Sequence, residues 1–217
     1  MPYPNYTKAE RIADGVVHVL GVTAALVGVT VLFATWSQHM GWSIFLASSV
    51  YALALLLMLG ASAAYHLASH TALRPLLRRI DHAAIYVKIA GSFTPLSIML
   101  GTVFGYVVLG LVWCLALAGA ATKLMTRPGA MTMGWAPQVA LGWIGLAIIV
   151  PLWELLPGQS VALIVAGGLT YTLAIVFYRW DDLHFANAIW HAFVLVATGC
   201  LFLGISTALA VAVQPPV

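Results

Sequence analysis

Hydrophobic residues occur along this chain in runs that are long enough to cross a lipid bilayer as helices. A helix needs about 20 mainly apolar residues to span the hydrocarbon layer. Such runs recur from one end of the sequence to the other, and only short polar segments separate them. We place seven spans, at about residues 13–36, 42–66, 80–100, 104–122, 135–152, 160–178 and 185–213. The predicted fold class is all-α: an integral membrane bundle of seven transmembrane helices, with residues 1–217 in a single domain.

The composition and the basic residues refine this picture. Hydrophobic residues make up 63% of the chain and charged residues 7%, whereas a soluble domain has about 25% charged residues. With seven spans, eight of the nine Lys and Arg fall on one side of the membrane: Lys8, Arg11, Arg74, Arg78, Arg79, Lys123, Arg127 and Arg179. By the positive-inside rule, we expect the N-terminus to be cytoplasmic and the C-terminus to lie outside.

The net charge of +3 then reflects topology and anionic headgroups, and it implies no nucleic-acid partner. We expect a multi-pass protein of the bacterial inner (cell) membrane, with membrane lipids as its partners and a lipid as its substrate or ligand. The sequence leaves the oligomeric state open.

A few polar residues lie at the inner ends of the predicted spans. Ser62 and His66 are four residues apart, so they share one helix face. Asp81 begins the third span, and His191 lies about two turns into the last span. Polar groups at hydrocarbon depth are costly and usually mark a functional site. Because imidazole and carboxylate groups are zinc ligands, their common depth points to a metal site.

Each of these residues also has an ordinary interpretation. A single His at a span end is more often an interfacial or hydrogen-bonded residue than a metal ligand, and Ser62 alone is typical of helix packing. Asp81 is also a favourable charge at a helix N-terminus. Their spacing does not decide between the two interpretations.

Lys88 is the one basic residue inside a span, on the same helix face as Asp81. It either forms a buried ion pair with Asp14 or Asp81, or binds a lipid headgroup or a fatty-acid carboxylate. We predict the ion pair with Asp14, because Glu10, Asp14 and His18 recur every four residues as one polar stripe on the first helix.

Four motifs connect these residues to a known family. They are ERIADGVVH at residues 10–18, SAAYH at 62–66, RIDHAAIY with the following AGSFTP within 79–95, and AIWHAFVL at 188–195. Together they resemble the haemolysin III family, which is related to the progestin and adipoQ receptors and to the alkaline ceramidases. In the first motif, Asp14 stands where Asn is usual and Val17 where Thr is usual.

The resemblance implies a seven-helix membrane protein with zinc near its cytoplasmic face. Carried over, His66 and His191 bind the metal, Asp81 holds a metal-bound water, and Ser62 lies beside it. The family has a second His at position 187, where this chain has Asn187.

Three replacements for that histidine are open: Asn187 itself, His184 and His70. A metal-free site is a fourth outcome. We predict a weakened zinc site with His66, His191 and Asp81, because an amide oxygen is a poorer zinc ligand than imidazole.

Two functions are consistent with this site. The first is a metal-dependent, ceramidase-like hydrolase of lipid amides or esters, with Asp81 as the group that orients or deprotonates water and Ser62 as a hydrogen-bond donor. The second is a non-enzymatic protein, either a receptor-like sensor of membrane lipid or a cytolytic protein, with a structural metal or none. The family's haemolytic activity supports the second, and so does Asn187.

Overall fold

The computed structural model of the protein describes residues 6–68, 71–125, 134–180 and 182–213, except the side chain of Leu146. Within these ranges the regular structure is entirely helical, as the hydrophobic pattern predicts. The helices are α1 (Lys8–Trp36), α2 (Trp42–Leu67), α3 (Arg74–Leu100), α4 (Val103–Met125), α5 (Ala136–Trp143), α6 (Gly145–Leu152), α7 (Gly158–Tyr178) and α8 (Ala186–Ala212). A single 3₁₀ turn, Ser37–His39, follows α1.

Six of these helices are long and apolar enough to cross a membrane: α1 to α4, α7 and α8. The chain is therefore an integral multi-pass membrane protein, as predicted. In place of the predicted span at 135–152 the structure has two helices of eight residues, α5 and α6, which meet at Ile144. Gly142 and Gly145 flank this junction, and glycine has a low helix propensity.

Two helices begin well before the predicted spans. A capping box starts α1 at Lys8: the Thr7 side chain accepts a hydrogen bond from the Glu10 amide, and the Glu10 carboxylate accepts one from the Thr7 amide. Helix α3 begins at Arg74, so its first two turns carry the charged residues that the hydrophobic pattern left in a loop. Hydrophobic runs mark the part of a helix within hydrocarbon, and these helices extend beyond that part.

Helix α3 lies at the centre of the bundle. It packs along α2 on one side and α4 on the other, while α7 packs along α8, and α1 lies between α2 and α8. Gly91 allows the close approach of α2 to α3, because a Cβ atom there would lie 2.6 Å from the Cβ of Ala54. Small residues let helices approach closely in membranes, where dispersion contacts replace the hydrophobic driving force.

The start of α1 is joined directly to the start of α8. The backbone amide of Phe185, the residue before α8, donates a 3.0 Å hydrogen bond to Glu10 Oε1. Phe185 has a φ of 62°, a left-handed conformation that turns the chain into α8. At the end of α2, the Arg74 guanidinium donates a 3.1 Å hydrogen bond to the Tyr65 hydroxyl. The first contact joins the starts of α1 and α8, and the second joins the end of α2 to the start of α3, at the end of the bundle where the polar residues of α1, α2 and α8 meet.

Candidate metal centre

Four side chains from three helices converge at this end of the bundle: Asp14 and His18 from α1, His66 from α2 and His191 from α8. Each offers one ligand atom, and these four atoms lie within 4.8 Å of one another. Asp14 and His18 are buried, and His66 and His191 are half-buried. The group, which we call the Asp–His cluster, can hold a metal ion.

Asp14 is the centre of the Asp–His cluster. Its Oδ1 accepts a 2.8 Å hydrogen bond from His191 Nδ1, and its Oδ2 lies 3.0 Å from His66 Nδ1. The three imidazole rings also pack on one another, with ring centroids 4.4 to 4.7 Å apart. A carboxylate in a low-dielectric interior needs such partners, because an unpaired buried charge is strongly unfavourable.

His18 is oriented by two further contacts. Its Nδ1 lies 2.7 Å from the backbone oxygen of Asp14, and its Nε2 lies 3.2 Å from the hydroxyl oxygen of Ser62. Since a carbonyl oxygen only accepts hydrogen bonds, Nδ1 of the neutral ring carries the proton. Nε2 therefore presents its lone pair on the side of Ser62, where it is available to a metal ion or to the serine hydroxyl.

The structure brings some of the predicted site residues together and separates others. His66, His191 and Ser62 all lie in or beside the Asp–His cluster. Asp81 is buried on α3, and its Oδ2 lies 3.6 Å from His82 Nδ1. It is not one of the four residues of the Asp–His cluster, but its charge acts on His191. Its proposed role through a bound water stays a prediction.

The candidate replacements for the missing histidine are also separated. Asn187 is next to the Asp–His cluster, with its Nδ2 3.3 Å from His66 Nδ1. His184 is exposed in the turn before α8, and His70 lies outside the described residues. The histidine and carboxylate that join His66 and His191 come from α1 instead.

The predicted ion pair between Asp14 and Lys88 is not formed. Asp14 contacts His66 and His191, whereas the Lys88 ammonium donates to the Tyr171 hydroxyl. Lys88 follows Asp81 by seven residues, so it lies about 10 Å deeper along α3 than the start of the predicted span. Depth in the bundle therefore separates the two charges.

The sequence did not predict Asp14 and His18 as possible metal ligands. Their signal was the four-residue spacing of Glu10, Asp14 and His18, which places them on one face. The sequence predicts that this polar stripe meets Lys88. In the structure, α1 turns this face toward α2 and α8.

This arrangement defines an integral multi-pass helical membrane protein with a buried Asp–His cluster at one end of its bundle. A family described as "Haemolysin-III related" matches residues 6–202 of the chain. Hemolysin-3 of Bacillus cereus is 32% identical over 194 residues, covering 89% of each chain. A hemolysin-3 homolog of Bacillus subtilis (strain 168) is 32% identical over 202 residues, covering 91% of this chain and 93% of the relative. The chain belongs to the haemolysin III family, which confirms the resemblance.

Proposed function

We propose that the Asp–His cluster binds zinc, and that the protein is a zinc-dependent hydrolase of lipid amides or esters. The observation that supports this most directly is the convergence of Asp14, His18, His66 and His191 on one point. Imidazole nitrogen and carboxylate oxygen are zinc ligands, and four is the usual coordination number of zinc in proteins. The donor set therefore fits this metal in type, and hydrolysis would need three of the four donors on the metal with water in the fourth position.

In this proposal Asp14 replaces the donor that is absent at position 187. The haemolysin III resemblance implies Asn at position 14 and His at position 187, and this chain has Asp14 and Asn187. Asn187 still borders the site, 3.3 Å from His66. A carboxylate from α1 thus takes the place of an imidazole from α8, and His18 of α1 adds a fourth donor. This revises the weakened site that the sequence predicted.

Bound zinc would supply Lewis acidity, which polarises a carbonyl group and makes water a stronger nucleophile at neutral pH. The residues around it have complementary roles. Asp81 is a second buried carboxylate within electrostatic range of His191, and it would orient or deprotonate water. Ser62, beside His18 Nε2, would donate a hydrogen bond to the developing oxyanion.

A cavity of about 30 Å³ between α1, α2 and α8 supports a hydrolytic role. His18, Ser62 and His191 line it together with apolar residues such as Gly21 and Met58. A water molecule needs about 10–15 Å³ of such volume, so the cavity has room for water beside the cluster. The apolar part of its lining suits the first methylene groups of an acyl chain.

The same proposal includes the topology and the location of the protein. We infer seven spans, in which α5 and α6 together form the fifth, with a cytoplasmic N-terminus and an outside C-terminus in the bacterial inner membrane. The support is the side on which the basic residues fall. The Asp–His cluster then lies near the cytoplasmic headgroups, the depth at which the amide or ester bond of a membrane lipid is found.

A hydrolysis assay tests this function. Purified protein in mixed micelles is incubated with ceramide and with diacylglycerol, and released fatty acid is measured by mass spectrometry. We expect release by the wild type, loss after chelation and recovery on addition of Zn²⁺. Asp81→Asn should lower turnover while the bound zinc is retained. Hydrolysis that survives both chelation and Asp81→Asn would contradict the mechanism.

One observation favours a second function. If all four donors bind the metal, a tetrahedral zinc site has no open position, which is typical of structural sites. The protein would then be a non-enzymatic lipid sensor or a cytolytic protein with a structural metal. Stoichiometric zinc without turnover on either lipid, together with zinc-dependent thermal stability, would support this alternative over the hydrolase.

A further inference from the structure

A second polar cluster lies deep in the bundle, away from the Asp–His cluster. It consists of Lys88 on α3, Tyr171 on α7, Thr198 on α8 and Tyr51 on α2. Lys88 and Thr198 each lie near the middle of a 27-residue helix. Lys88 follows Asp81 by seven residues and Thr198 follows His191 by seven residues, so each lies about 10 Å deeper than the residue at the bundle end. We call this group the Lys88 cluster.

Few protein groups stabilise the buried positive charge of the Lys88 ammonium group. Lys88 is 3% exposed, its Nζ donates a 2.7 Å hydrogen bond to the Tyr171 hydroxyl, and it lies 4.3 Å from the centroid of that ring. The Tyr171 hydroxyl in turn contacts the Thr198 hydroxyl. Among the described residues no carboxylate lies within 4 Å of Nζ. An ammonium has three donors, and the contacts given by the structure use one of them.

Tyr51 provides an independent indication of a ligand. Its side chain is fully buried, and its hydroxyl has no hydrogen-bond partner among the described residues. The Tyr51 ring stacks on Phe202, one turn beyond Thr198, and the Tyr51 backbone packs against Gly91, about one turn beyond Lys88. A buried hydroxyl without a partner is unfavourable, and such groups are rare in native structures. Tyr51 and Lys88 therefore both have hydrogen-bonding capacity that the protein does not use.

We propose that the Lys88 cluster binds the carboxylate of a long-chain fatty acid. A cation with hydroxyl donors around it is complementary to a carboxylate, and charge-assisted hydrogen bonds of this kind are strong. A positive charge at mid-bilayer also calls for an anionic partner or a polar cavity. Phospholipid headgroups stay at the interface, but a fatty acid can reach this depth in its neutral form. Its acyl chain is compatible with the hydrocarbon around the bundle.

This site does not depend on the proposed hydrolase. The Lys88 cluster lies about 10 Å deeper in the bundle than the Asp–His cluster, and the two clusters share no residue. If hydrolysis does occur, a fatty acid is the product class, and the Lys88 cluster would then retain that product. If the protein does not hydrolyse lipids, we still expect it to bind a fatty acid at the Lys88 cluster.

The test is direct binding of radiolabelled palmitate to the purified full chain in detergent. The same measurement on His66→Ala, which should lack hydrolase activity, separates binding from turnover. We expect saturable binding by wild type and by His66→Ala. Lys88→Met should weaken palmitate binding by at least tenfold. Unlabelled palmitate should compete, whereas hexadecanol, which has the same chain without the charge, and short-chain acetate should not.

Matched variants make the outcome decisive. Lys123→Met removes another buried lysine, on α4, and should leave palmitate binding unchanged. Tyr51→Phe and Tyr171→Phe keep the rings and remove the hydroxyls, so each should weaken palmitate binding. These two variants provide the test if Lys88→Met fails to fold. The proposal is overturned if palmitate does not bind, if hexadecanol competes equally, or if folded Lys88→Met or both phenylalanine variants bind as the wild type does.

Discussion

At the scale of single residues, the site depends on what Asp14 contacts. A carboxylate between two imidazoles can be a metal ligand, whereas the same carboxylate beside Lys88 would be a buried ion pair. The sequence identified His66 and His191 as candidates because each stands in a recognisable motif at a span end. It did not identify the partner of Asp14, since pairing between helices depends on rotation and depth, which residue spacing on one helix does not fix.

A reciprocal exchange tests the role of Asp14. Asp14→Asn removes the carboxylate, so we expect zinc affinity to fall by more than the about 10- to 100-fold that loss of a hydrogen-bond partner of a ligand typically costs. Asn187→His on that background places an imidazole beside His66 and should restore much of the affinity. Zinc competition with a fluorescent chelator measures both variants. If Asp14→Asn binds zinc as tightly as the wild type, Asp14 is not a ligand.

Ser62 has a separable role at the same scale. Ser62→Ala removes the hydroxyl beside His18 Nε2 and leaves all four ligands in place. We expect turnover on ceramide to fall by about 10²-fold, since removal of one oxyanion donor commonly has an effect of this size, while bound zinc is unchanged. Ser48→Ala, at a buried serine on the same helix, serves as the control. Equal losses in the two variants would point to packing and not to catalysis.

At the scale of helices, the hydrophobic pattern predicted which segments are helical but not how all of them end. The start of α1 is set by the Thr7 and Glu10 capping box, which is a local signal that a hydropathy average does not register. The junction of α5 and α6 has no such signal beyond Gly142 and Gly145. Helix contacts are decided by small residues such as Gly91, whose importance appears only when a neighbouring helix is placed against it.

Gly91 gives a prediction for the packing of α2 against α3. A Cβ atom at position 91 would lie 2.6 Å from the Cβ of Ala54, so Gly91→Ala forces the helices apart. We expect a loss of roughly 1–3 kcal/mol in the free energy of unfolding, the usual effect of overpacking. Unfolding in mixed micelles, followed by circular dichroism, measures it.

Gly60→Ala is the matched control for this substitution. Apart from its chain neighbours and its own helix backbone, no heavy atom of the described residues lies within 4 Å of a Cβ built at Gly60, so its helix should gain slightly in stability, by roughly 0.5–1 kcal/mol. The packing account fails if the two variants have the same stability.

At the scale of the whole molecule, topology decides the side of the membrane on which the Asp–His cluster lies. The distribution of Lys and Arg supports seven spans, and the part of the chain that the structure describes has six long apolar helices together with the shorter pair α5 and α6. The orientation follows from the positions of Lys and Arg between the spans, and it stays a prediction. Helices α5 and α6 together cover residues 136–152, and the helix is interrupted at Ile144. The length of this segment alone therefore does not decide whether it crosses the membrane.

Reporter fusions test this topology. We expect fusions after positions 70, 127 and 180 to report the cytoplasm, and fusions after positions 40, 101 and 155 to report the outside. Phosphatase and fluorescent-protein reporters give opposite signals on the two sides and check each other. Cytoplasmic signals at both 127 and 155 would show that α5 and α6 do not cross, and the C-terminus would then be cytoplasmic.

The proposed function requires that Asp14, His18, His66 and His191 together bind one metal ion. Elemental analysis of purified full-length protein measures it most directly, beside His191→Ala and the control His39→Ala, which changes a histidine outside the Asp–His cluster. We expect about one zinc per chain in the wild type and in His39→Ala, and far less in His191→Ala. Protein that takes up no metal even after incubation with Zn²⁺, or His191→Ala that retains a full equivalent, would contradict it.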